Sequence, residues 1–184
     1  MKIALLLATG YEEGESLFVA DILRRAGFEA ELISTTKEGW VTGAHGIKVE
    51  ADHLLDEEIY NYDMVILPGG MPGAVNLRDD QRVLELIRYF DKAHKYIGAI
   101  CAAPIVLHAA GILEGRKITS YPGEKYESLF TEAEYCQETV VIDDRLITSR
   151  GPATTLPFAY AVVDLLGGDS DPLKKGMLYL DIEK

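Results

Sequence analysis

The chain reads as an α/β layered protein, with a mostly parallel sheet and helices on both faces. Three observations predict this. Its apolar runs are short, continuous and bounded by turn residues; helical periods lie between them; and a hairpin pattern comes late in the chain. Ile3 to Ala8 is the first run, and its lack of polar interruption suits a strand covered on both faces. Val19, Ile22, Leu23 and Ala26 then repeat at helical spacing, and Gly27 is a stop signal. Phe28 to Ser34 predicts a second strand. Met64 to Leu67 and Tyr96 to Ile100 predict two more, with Val83, Leu86, Ile87 and Phe90 forming a helical face between them. Ala103 to Ala110 predicts a helix with Pro104 in its first turn. Thr139 to Ile142 and Leu146 to Ser149 flank Asp143-Asp144-Arg145 as a hairpin would. Thr155 to Leu166 is apolar almost all round and stops at Gly167-Gly168, so a largely buried helix is expected there.

No repeat, linker or low-complexity segment divides the 184 residues, so a single domain over 1–184 is expected. No apolar stretch approaches the roughly 20 residues of a membrane span. The short apolar start reads as a buried strand rather than a signal peptide, which places the protein in the cytoplasm. A net charge of −12 without any basic run argues against nucleic acid or an anionic membrane as partner. Cys101 and Cys136 offer neither a disulfide framework nor metal-ligand spacing, and no histidine pair has zinc-motif spacing, so no metal is expected.

In open α/β sheets ligands gather where strands end and helices begin. Three such loops carry unusual residues: Gly10 to Glu15, Pro68 to Gly73, and Ala99 to Pro104. An apolar strand feeds directly into Cys101, which puts its thiol on a sharp strand-to-helix elbow. The nearby helix N-terminus is expected to favour a thiolate and lower the thiol pKa. Gly69 and Gly70 allow close backbone approach, and the N–H groups of Gly70 and Ala102 could hold a developing oxyanion. Glu12 and Glu13 fit the ordinary preference of acids for helix N-termini. Glu15 is followed by apolar residues, so its carboxyl should be desolvated, protonated and able to partner the thiolate. His94 and His108 are expected on helices, and His53 in a polar stretch, all without a chemical role. Cys136 and Trp40 read as structural and packing residues. His45, in a glycine-rich loop, stays open between the two readings.

Glu12-Glu13-Gly14-Glu15, Leu67-Pro68-Gly69-Gly70, Ala99-Ile100-Cys101-Ala102-Ala103-Pro104 and Thr148-Ser149-Arg150-Gly151-Pro152 together make the chain resemble the ThiJ/PfpI family, and within it the Parkinson-disease protein deglycase branch. The resemblance covers nearly the whole length and implies a flavodoxin-like fold. It implies that Cys101 is nucleophile and oxidation sensor, that Glu15 is a buried protonated partner, and that Gly70 and Ala102 donate through their backbone. Gly69, Tyr121 and Arg150 would support the site, and a homodimer without cofactor is implied. Two positions depart from the family. Protease-like relatives carry a histidine directly after the cysteine, where this chain has Ala102, so a peptidase is not expected. The deglycase branch usually has a histidine where this chain has Tyr121, and a phenol is a poor base near neutral pH. The expected activity is a cofactor-independent glyoxalase or deglycase reaction on reactive aldehydes such as methylglyoxal, or on their early adducts. The alternative is an oxidative-stress sensor or chaperone in which Cys101 is oxidised with little turnover.

Overall fold

The structure, a computed structural model, describes residues 1–181. β1 (Lys2–Leu7) is the apolar run expected, and Ile3 through Leu7 are fully buried. Truncating one of these leucines to alanine would cost roughly 2–5 kcal/mol, since a packed interior closes poorly over a lost side chain. α1 (Glu13–Arg25) places Val19, Ile22 and Leu23 inward and ends where Gly27 turns with φ +82°. β2 (Glu29–Ser34) returns parallel to β1, with Phe28 just outside it. A hairpin follows, β3 (Trp40–Thr42) against β4 (Lys48–Glu50), and then the edge strand β5 (His53–Leu54). β6 (Met64–Leu67), α2 (Gly73–Asp79), α3 (Gln81–Lys92), β7 (Tyr96–Ile100) and α4 (Pro104–Ala110) form the middle of the chain. β8 (Lys117–Ile118), α5 (Glu124–Glu127) and β9 (Glu134–Tyr135) are short excursions. β10 (Val140–Asp143) and β11 (Leu146–Ser149) are the expected hairpin, with Asp144 at φ +56° in its turn. α6 (Thr155–Leu165) and α7 (Asp171–Gly176) complete the described helices.

The main sheet has the order β10-β11-β7-β6-β1-β2-β5, and only the β10–β11 pair is antiparallel. Its inner five strands, β2-β1-β6-β7-β11, follow the flavodoxin-like order, and helices cover both faces. α1 packs against α6, while α4 packs against α2 and α3. The chain reverses its direction of travel across the sheet between β1 and β6. The loops leaving β1, β6 and β7 therefore meet at one end, which brings the three unusual segments together.

Two expectations need correction. Trp40 is not packed inside: it is half exposed on the hairpin, with the Lys48 ammonium 5.3 Å from its ring centre. His94 lies beyond the end of α3 at φ +53°, not on a helix. Among the described residues no helix is long and apolar enough to cross a membrane.

Candidate active site

Cys101 occupies the elbow between β7 and α4 with φ +63°, a conformation that is strained for any residue with a Cβ. Its surroundings hold it there. Cys101 N–H donates to the Ser149 carbonyl at 3.0 Å, and its own carbonyl accepts from Tyr121 N–H at 2.8 Å. β11 on one side and the segment after β8 on the other thus fix the turn, leaving the thiol 8% exposed.

Glu15, in the first turn of α1, is wholly buried. Its Oε2 accepts from Gly69 N–H at 2.7 Å, while Oε1 makes no conventional hydrogen bond. The Cys101 thiol is the side chain that interacts with this carboxyl. A Cβ placed on Gly69 would lie 2.7 Å from both Cys101 Cβ and Glu15 Oε2, and 3.0 Å from Ala102 N. Gly70 turns with φ +85°, and a Cβ there would fall 2.3 Å from Glu12 N. Only glycines let the β6 loop approach the other two loops this closely.

Burial pushes the Glu15 carboxyl up to about 7, against the Gly69 N–H and the Cys101 thiol, which both favour its charge; the Glu12 charge adds to the rise. The thiol does not sit low, as the helix terminus alone had implied. Burial raises its pKa first and the Glu15 charge second, while the N–H groups of Ala102 and Gly70 pull the other way. Thiol and carboxyl are therefore one coupled acid, in which ionising either group resists ionising the other.

A model described as the DJ-1/PfpI family matches residues 1–165. The chain belongs to the DJ-1/PfpI family. It is 35% identical to Protein dj-1beta of Drosophila melanogaster, covering 94% of each chain. It is 33% identical to Deglycase PH1704 of Pyrococcus horikoshii, over 90% of this chain and 99% of that one. Two Arabidopsis thaliana relatives, Protein DJ-1 homologs B and A, are each 35% identical, but this chain spans only 38% and 42% of their lengths. The crystal structure of Drosophila DJ-1beta superposes with a TM-score of 0.90 at 36% identity, covering 96% of this chain and 97% of that one. A DJ-1 superfamily protein from Salmonella typhimurium gives a TM-score of 0.88 at 34% identity, covering 97% of both.

The remaining singled-out residues of this DJ-1/PfpI chain differ in the partners that hold them. Tyr121 stands beside the elbow, 46% exposed, with its ring against Gly151. The Arg150 guanidinium donates to the carbonyl and side-chain oxygen of Gln137, so it braces the chain before β10. His45 Nδ1 lies 2.9 Å from Glu13 Oε2 and 3.6 Å from Glu12 Oε1, joining the β3–β4 hairpin to α1. Glu13 Oε1 also accepts from the backbone N–H groups of His45 and Ile47. These three side chains are the one group among the described residues whose spacing could hold a metal ion, but their hydrogen bonds already give them a structural role. His53 contacts Glu31 at 3.4 Å and His108 contacts Glu132 at 2.6 Å, both outside the elbow region. Cys136 is a free, half-buried thiol whose pKa is raised by burial and by the charges of Glu138 and Glu134.

Sequence reasoning missed Tyr126. It sits in α5, its ring centre 5.9 Å from that of Tyr121, and its phenol is raised by burial and by the charge of Cys101. The available signal was weak: a tyrosine five positions after another, in a polar segment without clear periodicity.

Proposed function

We propose that this protein is a cysteine-dependent, cofactor-independent enzyme of the glyoxalase or deglycase type, acting on α-oxoaldehydes such as methylglyoxal or on their early adducts. One observation carries the reading: Cys101 Cβ, Glu15 Oε2 and the Ala102 N converge on the point where a Cβ of Gly69 would lie, at 2.7, 2.7 and 3.0 Å. The family includes a relative named a deglycase, which supports the same direction.

The steps follow from the pair. Cys101 gives its thiol proton to Glu15 as its sulfur attacks the aldehyde carbon, forming a C–S bond while the carbonyl electrons move to oxygen, and that proton then passes to the oxygen. The Gly70 and Ala102 N–H groups stabilise that oxyanion, which takes a proton to become a hemithioacetal. Glu15, with a pKa of about 7, can both accept and donate a proton near neutrality. It removes the proton from the former aldehyde carbon and returns one to the neighbouring carbon. The result is a thioester, with no net oxidation. Water then cleaves the C–S bond, releasing a 2-hydroxy acid and the free thiol. Tyr121 and Ala102 supply no imidazole, so proton transfer rests on Glu15. The test is lactate formation from methylglyoxal by wild type, Cys101→Ala and Glu15→Gln. Both variants should lose turnover, and unchanged turnover in Cys101→Ala overturns the reading.

A second reading, oxidation sensing at Cys101, is favoured by the N–H groups of Gly70 and Ala102 and the Glu15 carboxyl, which could bind oxygens added to the sulfur. Mild peroxide followed by mass spectrometry should then show selective sulfinate at Cys101 over Cys136. The protein works as a single domain over 1–184 and as a homodimer in a reducing compartment such as the cytoplasm, consistent with two unpaired cysteines.

A further inference from the structure

We propose that Tyr121 and Tyr126 form an aromatic wall beside Cys101 that selects α-oxoaldehydes bearing a flat, apolar substituent, the aryl glyoxals, over methylglyoxal. The inference rests on the proposed chemistry of Cys101 and names its preferred substrate class.

The wall is held in place from behind. Thr119 N–H donates to Thr148 Oγ1 at 2.9 Å, tying the segment to β11, and Tyr121 N–H donates to the Cys101 carbonyl at 2.8 Å. Ser120 Oγ donates to the Tyr121 carbonyl at 3.1 Å and meets the Tyr135 hydroxyl at 3.1 Å. The Tyr121 backbone is therefore anchored to the elbow itself. Its ring runs alongside Gly151: a Cβ there would lie 3.6 Å from Tyr121 Cδ2, in ordinary contact.

Tyr126 continues the surface. Its ring meets Tyr121 at 5.9 Å between centres and 67° between planes, an edge-to-face arrangement that fixes both rings. Tyr126 packs partly on the core, while Tyr121 stays 46% exposed, so the pair runs from the interior to the surface. The Tyr126 phenol is pushed up by burial first and by the Cys101 charge second. Neither hydroxyl is occupied by a hydrogen bond from another described residue. An aldehyde captured on the sulfur must extend its second substituent somewhere. With Glu15 and the glycine loop on one side, the tyrosines offer the apolar side. A phenyl group gains edge or face contact with two rings there, whereas a methyl group gains little.

The experiment compares phenylglyoxal with methylglyoxal, reading mandelate and lactate, for wild type, Tyr121→Ala, Tyr126→Ala and Tyr126→Phe. Wild type should favour phenylglyoxal in kcat/KM. Either alanine variant should reduce that preference about tenfold, with the phenylglyoxal value falling further than the methylglyoxal value, and Tyr126→Phe should retain it. A parallel arm needs no turnover: alkylation of Cys101 by phenacyl bromide and by bromoacetone, each normalised to a free thiol. The aryl preference should again fall about tenfold in the alanine variants. If neither aldehyde is turned over but the alkylation preference still depends on the tyrosines, the aldehyde reaction fails and the wall stands. An aryl preference equal in wild type and both alanine variants overturns the wall. Tyr121 is half exposed, so its alanine variant should stay folded even if that of Tyr126 does not.

Discussion

The Gly69 N–H and the Glu15 carboxyl meet across 2.7 Å, so the loop after β6 closes directly onto the first turn of α1. That approach is possible because Gly69 carries no side chain. A methyl group there would collide at 2.7 Å with Cys101 Cβ as well as with Glu15 Oε2. Neither neighbour is free to retreat: Cys101 is pinned at φ +63°, and Glu15 is buried under α1. Gly69→Ala is expected to destabilise the protein by roughly 2 kcal/mol, the usual scale for overpacking, and to slow alkylation of Cys101. Urea denaturation and iodoacetamide kinetics check both. Wild-type values in the two measurements together would contradict this geometry.

Glu15 should also leave a signature in stability. Its folded pKa of about 7 lies above the ordinary 4.5, so between those values the folded state holds more of the proton than the unfolded chain does. Stability from this group is therefore full at acid pH, falls as pH rises from about 4.5 to about 7, and is level above that. The change is on the order of 3 kcal/mol. Comparing denaturation at about pH 5 and about pH 8 in wild type and Glu15→Gln isolates it. The variant should show a flatter profile; an identical profile would place the carboxyl in water.

The exposed apolar residues make the proposed homodimer testable. Phe18 on α1 and Trp40 and Ile47 at the adjoining hairpin are each about half exposed. The Glu13–His45 contact joins these two elements, so they present neighbouring surfaces. Light scattering should give twice the chain mass for wild type, and Phe18→Asp should shift the population toward monomer with unchanged circular dichroism. A monomeric wild type would contradict the assembly.

How much of this was legible in the sequence differs by element. β1, β6, β7 and β11 are covered on both faces, and continuous apolar runs announce that kind of strand. The elbow at Cys101 was legible because an apolar run ends on a cysteine three positions before a proline. The sharing of a site by Glu15, Gly69 and Cys101 followed once the strand ends were known to gather. β3, β4, β8 and β9 were not legible, since two or three residues are too few to show alternation. Trp40 read as a packing residue near a glycine turn, yet it lies half exposed on a hairpin outside the main sheet. The direction of the thiol pKa was misjudged for a physical reason. A short helix terminus is visible in sequence, whereas the burial of Cys101 and its nearness to the Glu15 charge arise only on folding. Arg150 was named as a supporting residue by the family resemblance alone, and its guanidinium bonds to Gln137 could not be read from the sequence.

The coupling of Cys101 to Glu15 is tested most directly by the pH profile of Cys101 alkylation in wild type and Glu15→Gln. In wild type, burial and the Glu15 charge hold the thiol above the ordinary cysteine range. Removing that charge while keeping the shape should move the alkylation midpoint clearly downward. A midpoint that is the same in both proteins would show that the carboxyl and the sulfur do not share a site.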